Sequence, residues 1–470
     1  MPDTRESHSS ARSSLNIAVP ARLDGRVVLP GDARYEAARL VDNAAIDRRP
    51  AAIVLAREVA DIVATLRLAE DSEMPLAVRA GGHSTVGHSI ADDAIVLDLK
   101  GLSDVEIDAA SGTAWVGAGV TAGALTAAAH PGGYAVPFGD AGSVGIAGIT
   151  LGGGIGWLVR RFGLTIDSLL EAEVILATGD HLVASPTEHP DLFWALRGGG
   201  GNFGVVARFH FQLSPVDTVL AGDVIVPGTP EVLGRLVGVL AGAPDGLTVM
   251  PSIFPAPPMP ALPEAWHGRL VAFLSFCHSG PVEDDQRVLD LLRSMGPSAV
   301  DSIERKPYPS LFPPKSDVRQ PYTTRALFVD DLDEAAIEII GRRMASPTSP
   351  DALVHMRVLG GAVSRVANDS TAFGHRDRRA LIWLITPYAD LTETERHKAW
   401  TADFESELVA AGCGSDAYVN FLGSDGEAAL HAAYPPATLA RLSDVKRRYD
   451  PDNRFRSNLN IPPSPPAGAG

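Results

Sequence analysis

The chain has 470 residues, enough for two or three domains at roughly 150 residues each, and 45% of them are hydrophobic. Asp and Glu number 57 against 40 Lys and Arg; the net charge of −17, with no basic run to offset it, argues against binding nucleic acid. No stretch approaches the roughly 18 uninterrupted apolar residues of a membrane-spanning helix, and the first fourteen residues lack the apolar core of a secretory signal. Two cysteines, Cys277 and Cys413, support neither a disulfide framework nor a cysteine-rich metal site, and a cytoplasmic protein without metal is expected.

Residues 1–30 read as a polar arm, with strands or turns only after Leu23. The spacing Val59, Ile62, Val63, Leu66 predicts a helix within 57–73. A strand over 75–79 runs into Ala80-Gly81-Gly82-His83; further strands are expected at 95–99 and 115–119, with a helix over 121–129. Thr178-Gly179-Asp180 marks a hairpin between 173–177 and 182–184. A short helix over 191–196 and a long strand over 205–213 complete a first α+β unit. Beyond it, helical patterns at 231–241, 282–295, 334–345 and 393–411 separate strand-like runs at 269–276, 353–359 and 380–386. Thr392 and Glu395 have capping-box spacing at the start of the last helix. Pro251 to Pro263, with six prolines, reads as an extended surface loop, and a Pro-rich tail spans 462–470.

The glycines are unevenly spread. Arg79-Ala80-Gly81-Gly82-His83-Ser84 is a strand entering a tight loop whose N–H groups suit an anion such as a pyrophosphate, although taken alone it reads more readily as a plain turn with a surface histidine. The stretch 139–156 has glycine at 139, 142, 145, 148, 152–154 and 156, with apolar residues interleaved, and offers a backbone surface for a large flat ligand. It is not a Walker loop, for no Gly-Lys-Ser/Thr follows, and it lacks the strand–turn–helix context of a dinucleotide fingerprint. Arg197, followed by four glycines (198–201) and Asn202-Phe203-Gly204-Val205-Val206, is a glycine turn leading into a strand.

Taken together and in order, these segments resemble the vanillyl-alcohol-oxidase and para-cresol-methylhydroxylase (PCMH) flavoproteins, and within them the berberine-bridge-enzyme-like oxidases. The resemblance runs from about residue 47 to 215. It resumes in Tyr418-Val419-Asn420-Phe421, in Lys446 to Phe455, and in Ser457-Asn458-Leu459-Asn460-Ile461. Leu359-Gly360-Gly361-Ala362 and Phe373-Gly374-His375-Arg376 resemble bacterial members.

The resemblance implies FAD. It places the pyrophosphate in the loop Arg79, Ala80, Gly81, Gly82 and Ser84, with His83 joined covalently to the flavin or packing beside it. Gly87 and His88, Gly139, Asp140, Val144, Gly145, Gly148, Gly152, Gly153, Gly154 and Gly156, Gly204 and Val206, and Asn420, Asn458 and Asn460 are implied as further cofactor contacts. Asp140 is a candidate for the ribityl chain, and a valine matching Val144 is associated with oxidase behaviour. The cysteine that gives many members a second flavin link is here Ala141, so a single link is implied and an oligosaccharide substrate is not carried over. Tyr418 is implied either as the catalytic base or as packing against the ring; a base role needs a phenol depressed from its usual pKa near 10. His375 and Arg376 are candidates for facing the substrate, or a solvated loop.

The expected architecture is α+β. A PCMH-type FAD-binding domain spans 1–215, and a substrate domain of antiparallel sheet covered by helices spans 216–411. A C-terminal segment, 412–470, returns to the first domain. The expected activity is oxidation of a C–O or C–N bond of a small molecule, with O2 reoxidising the flavin to give H2O2. A flavin-dependent oxygenase of a polyketide-like substrate, and a cyclase or binding protein with structural flavin, are the alternatives.

Overall fold

The structure is a computed structural model describing residues 17–258, 260, 262–314, 318–423 and 426–466. Most of the expected N-terminal arm and the end of the Pro-rich tail lie outside the described residues. Residues 27–212 build two sheets. The first has the order Val27–Val28, Ala52–Leu55, Ile95–Asp98, Leu76–Arg79, its last three strands parallel, with the helix Val59–Asp71 covering it. Val27–Val28 joins antiparallel at the edge. The second is antiparallel, in the order Val105–Asp108, Thr113–Gly117, Val205–Gln212, Leu169–Ile175, His181–Ala184. One apolar core runs between them, from Ile62 and Leu66 to Val116, Phe209 and Phe211.

A seven-stranded antiparallel sheet follows, in the order Val300–Pro307, Thr218–Pro227, Leu270–His278, Leu247–Pro255, Leu353–Val358, Ala380–Pro387, Tyr322–Val329. The helices Pro230–Ala241, Glu334–Ala345 and Thr394–Ala410 cover one face through residues such as Leu236, Ile340 and Phe404. The other face turns toward the first unit. After the last of these helices the chain returns: Leu442, Val445 and Tyr449 of the helix Pro436–Tyr449, then Phe455 and Ile461, join the first core.

Four strands of the large sheet differ from the sequence reading, which does not contain Thr218–Pro227, Leu247–Pro255, Val300–Pro307 or Tyr322–Val329. Pro251 argues for a loop because proline has no N–H for a ladder. Its strand is central, yet its pairing to Leu353–Val358 is confined to Ser252 and Ile253. Pro251 has no register partner on that strand and sits opposite Leu274 on the other side. The capping box at Thr392 does not form. Asp390 accepts from the Thr392 N–H (2.9 Å) in a short 3-10 turn, and the helix starts at Thr394.

Candidate active site

A cavity of about 770 Å³ lies where the two glycine loops, the C-terminal segment and the open face of the large sheet meet. That size is within the range of small-molecule and cofactor sites. One wall is backbone. The strand Leu76–Arg79 delivers Ala80–Ser84, and Gly82 turns with φ +75°. A Cβ on Gly81 would stand 2.3 Å from the Gly145 nitrogen, and one on Gly145 would stand 2.4 Å from the Gly81 nitrogen, so the loops meet main chain on main chain. Behind them Gly145 begins the helix Ile146–Leu151, whose final carbonyl, Leu151, accepts from the N–H groups of both Gly198 and Gly200 at 3.0 Å. The third glycine turn is thereby tied to the second.

The C-terminal segment locks that turn. Asn202 donates to Gly199 (2.9 Å) and Leu459 (3.1 Å) and accepts from the Ile461 N–H. Lys446, fully buried, donates to the Asn202 carbonyl at 2.7 Å, to Asp450 at 2.6 Å and to the Phe455 carbonyl at 2.9 Å. Asn458 donates to Gly201 at 3.2 Å, while its buried side-chain oxygen has no hydrogen-bond partner among the described residues and stands in the cavity lining.

Of the residues singled out from sequence, Ala80, Gly81, Gly82, His83, Ser84, His88, Gly139, Asp140, Val144, Gly145, Gly148, Gly204, Val206, Tyr418, Asn420 and Asn458 line the cavity. His83 is 19% exposed, with Nδ1 3.5 Å from an Asp42 carboxylate oxygen. Ala141 is in the lining, and neither cysteine is.

Others do not line it. Arg79 turns away to pair with buried Asp98 (2.7 Å) and the Ala38 carbonyl, bracing the strand from behind. Gly87 packs on Ile46, and Asn460 lies outside the lining. Gly152, Gly153, Gly154 and Gly156 make room for neighbours instead of touching the cavity: added Cβ atoms would strike Asn420, Phe373, Thr165 and the Phe138 carbonyl. His375 and Arg376 are neither a solvated loop nor part of this site. His375 Nε2 lies 2.9 Å from the Ala433 carbonyl with its ring against Phe328, and Arg376 is clamped on Asp167 at 2.7 and 3.0 Å. A histidine and an arginine in a Gly-rich loop suggest solvent, but here they supply the bonds that bury it.

Tyr418 is 2% exposed. Its hydroxyl oxygen accepts from the Gly154 N–H and from Asn420 Nδ2, both at 2.9 Å. With both lone pairs engaged, its own O–H is left as a donor. Burial pushes the phenol up to about 12, more than the two donors hold it down. The depressed pKa that a base role needs is not seen in the chain's own surroundings of Tyr418, whose O–H is left as a hydrogen-bond donor.

The second wall is made of side chains, among them Trp383 and Arg357, which the sequence reading did not single out. Along Ala380–Pro387 the alternation brings Trp383, Ile385 and Pro387 to one face. Trp383 stacks on Phe421 at 4.1 Å and 10°, and Phe421 meets Tyr418 edge-on at 5.1 Å. Arg357 reaches in from Leu353–Val358 and pairs with Asp140 at 2.9 and 3.0 Å. The Asp140 carboxylate is engaged by this arginine through one contact on each oxygen; Arg357 and His355 hold its pKa below the usual range against its burial.

A groove walled by three glycine turns and continued by aromatic side chains suits a long ligand with a charged middle and a flat end. Residues 50–185 match the FAD binding domain family, and residues 417–462 the berberine and berberine-like family. The (R)-6-hydroxynicotine oxidase of Paenarthrobacter nicotinovorans is 30% identical over 96% of this chain and 99% of its own. The chain belongs to the berberine-bridge-enzyme-like FAD-linked oxidoreductases. Berberine bridge enzyme-like 6 of Arabidopsis thaliana is 28% identical over 88% of this chain and 81% of its own. The solved 6-hydroxy-D-nicotine oxidase of Arthrobacter nicotinovorans superposes with a TM-score of 0.84 over 95% of this chain and all of its own, at 25% identity. Physcomitrella patens BBE-like 1 shares the fold at the same TM-score and 23% identity, over 95% of this chain and 98% of its own. This family member is an FAD-dependent oxidoreductase, and its cavity fits the cofactor: a main-chain wall at Gly81 and Gly145, an unsatisfied Asn458 oxygen, and His83 in the lining.

Proposed function

We propose that the chain is an oxidase of a small organic molecule that holds one FAD through a single covalent bond from His83 and uses O2 as its acceptor. FAD bound there would supply the two-electron acceptor for the hydride of a C–H bond at a carbon bearing oxygen or nitrogen, with O2 as the final acceptor to give H2O2. The observation that carries the reading is the convergence of His83, the main-chain wall of Gly81 and Gly145, and the Tyr418–Asn420 pair on one cavity.

The chain's own residues divide the work. The N–H groups of Ala80–Ser84 and of the turn after Gly200 receive the phosphates, for close approach of main chain to an anion needs residues without side chains. Asp42, beside His83 Nδ1, orients the imidazole, and Ala141 leaves that one link. Tyr418 would donate a hydrogen bond from its O–H to a substrate heteroatom and stay protonated while doing so, a substrate hydroxyl losing its own proton to water as its carbon is oxidised. Trp383 and Phe421 exclude water from the reacting carbon. The nicotine-oxidising relative, similar along nearly its whole length, supports oxidation at carbon next to nitrogen or oxygen.

The test is to photoreduce the purified protein without air, admit O2, and follow the flavin absorbance together with peroxide. Recovery within seconds with stoichiometric peroxide is expected. Recovery over many minutes, or without peroxide, overturns the oxidase assignment.

A further inference from the structure

A segment outside the glycine loops reaches the histidine of the first one. Residues 41–44 run between the loop Ala80–Ser84 and the start of the strand Tyr322–Val329, and main-chain bonds tie them to both. On the loop side the Asp42 N–H donates to the Gly82 carbonyl at 3.0 Å, and Asn43 Nδ2 donates to the Thr85 carbonyl at 3.2 Å. On the sheet side Asn43, which is buried, donates to the Tyr322 carbonyl at 2.9 Å and accepts from the Tyr322 N–H at 3.2 Å. Arg319 Nε donates to the Val41 carbonyl at 2.6 Å. Held along both edges, the backbone of Asp42 has little freedom to move away.

The Asp42 carboxylate stands between a side chain of the loop and one of the large sheet. One oxygen is 3.5 Å from His83 Nδ1, and the other accepts from the Tyr322 hydroxyl at 3.5 Å. All three residues line the cavity. Burial and Asp42 itself push the Tyr322 phenol up, so it stays protonated and donates. A ring nitrogen that gives its lone pair to a carbon leaves the imidazole a cation until an N–H proton departs. A carboxylate within about 4–6 Å favours such a cation by roughly tenfold to a thousandfold. The carboxylate takes no part in the contact of Gly81 with Gly145, so its charge can be removed without removing the backbone wall.

We infer that Asp42 promotes formation of the His83–flavin bond by stabilising the positive charge on the imidazole and taking up its N–H proton, with Tyr322 as the positioning residue that holds the carboxylate. The inference rests on the single covalent link proposed above. In the balanced step a C–N bond replaces one N–H bond of His83 and one C–H bond of a flavin ring methyl group. O2 accepts the two electrons, and two protons complete H2O2; Asp42 passes its proton on to water. Tyr322 belongs to the large sheet, so attachment at the loop depends on that sheet being in place.

The test is a time course of attachment. Full-length wild type, Asp42→Asn, Asp42→Ala and Tyr322→Phe are produced with limiting riboflavin, incubated with FAD in air, and sampled into acid. Flavin fluorescence retained by the precipitated chain gives bound-and-attached flavin, and absorbance before acid gives total flavin. Both Asp42 variants are expected to hold as much total flavin as wild type but to attach it about tenfold to a hundredfold more slowly. Tyr322→Phe should slow attachment about threefold, the loss of one modest hydrogen bond. Added formate should accelerate Asp42→Ala and leave wild type unchanged, a rescue that a merely structural role would not show. Attachment by Asp42→Asn at the wild-type rate, or a slow Asp42→Ala that formate does not accelerate, overturns the inference. Should Asp42→Ala bind no flavin, the isosteric Asp42→Asn decides alone: slow attachment at full occupancy upholds the inference. A wild-type chain that never retains flavin overturns the covalent reading and the inference with it, whereas wild-type attachment that is indifferent to Asp42 overturns the inference only.

Discussion

Where Ala80–Ser84 meets Gly139–Gly145 the cavity is main chain against main chain, whereas the facing wall is built from side chains, Trp383 and Arg357 of the large sheet and Phe421 and Tyr418 of the C-terminal segment. The first wall has almost no freedom: a methyl group on Gly81 or Gly145 has nowhere to go. The second can change residue by residue without disturbing the strands that carry it, because alternate positions of a strand face opposite sides. A fixed backbone wall suits a ligand that never changes, and a side-chain wall suits one that can be reselected.

This contrast makes graded predictions. The largest effect should come from the peg that holds the backbone wall. Lys446→Met leaves Asp450 buried without its cation and frees the Asn202 and Phe455 carbonyls, so stability should fall by about 3–5 kcal/mol in denaturant titration, with loss of bound flavin. Next, Gly81→Ala should cost about 3 kcal/mol and abolish the yellow colour, since the nearest obstacle is main chain that cannot step aside. An alanine variant that binds flavin normally would show that the loops are not the rigid wall described here.

Substitutions in the side-chain wall should leave flavin content intact and change turnover. Tyr418→Phe removes the donor into the cavity and strands the Gly154 and Asn420 N–H groups, so kcat/KM should drop about tenfold to a hundredfold. With its phenol pushed up to about 12, Tyr418 stays protonated, and the wild-type pH–rate profile should show no limb from it between pH 6 and 10. A limb there that disappears in the phenylalanine variant would restore the base role.

A smaller effect concerns acid stability. Burial, assisted by Arg357, lowers His355 from 6.5 to about 3, so the folded protein keeps it neutral where the unfolded chain protonates it. Its contribution is present above about pH 6.5 and is lost as pH falls from there toward 3, at no more than about 1.4 kcal/mol per pH unit. His355→Gln should flatten the decline of the melting temperature over that range. The smallest is Glu407→Gln, which breaks the surface pairs with Arg342 and Arg343 and should cost under about 1 kcal/mol.

The same contrast governs what was legible in the sequence. Close backbone approach demands glycine, so the loops of the first wall stand out in the residue string, as do the parallel and hairpin strands that carry them. Trp383 and Arg357 do not, because a tryptophan or an arginine on a strand is an ordinary residue until the opposite wall is known. The Pro251 strand was hidden because its missing donor coincides with a gap in pairing, which only the sheet order reveals. His375 and Arg376 misled in the other direction: their buried partners, the Ala433 carbonyl and Asp167, lie 58 and 209 residues away in the chain.

The most direct test of the account is denaturation of the purified protein in acid, followed by separation of polypeptide from small molecules. Colour that stays with the wild-type chain, is lost in His83→Ala, and maps to the peptide containing His83 is the predicted result. Flavin that separates completely from the wild-type chain would contradict it.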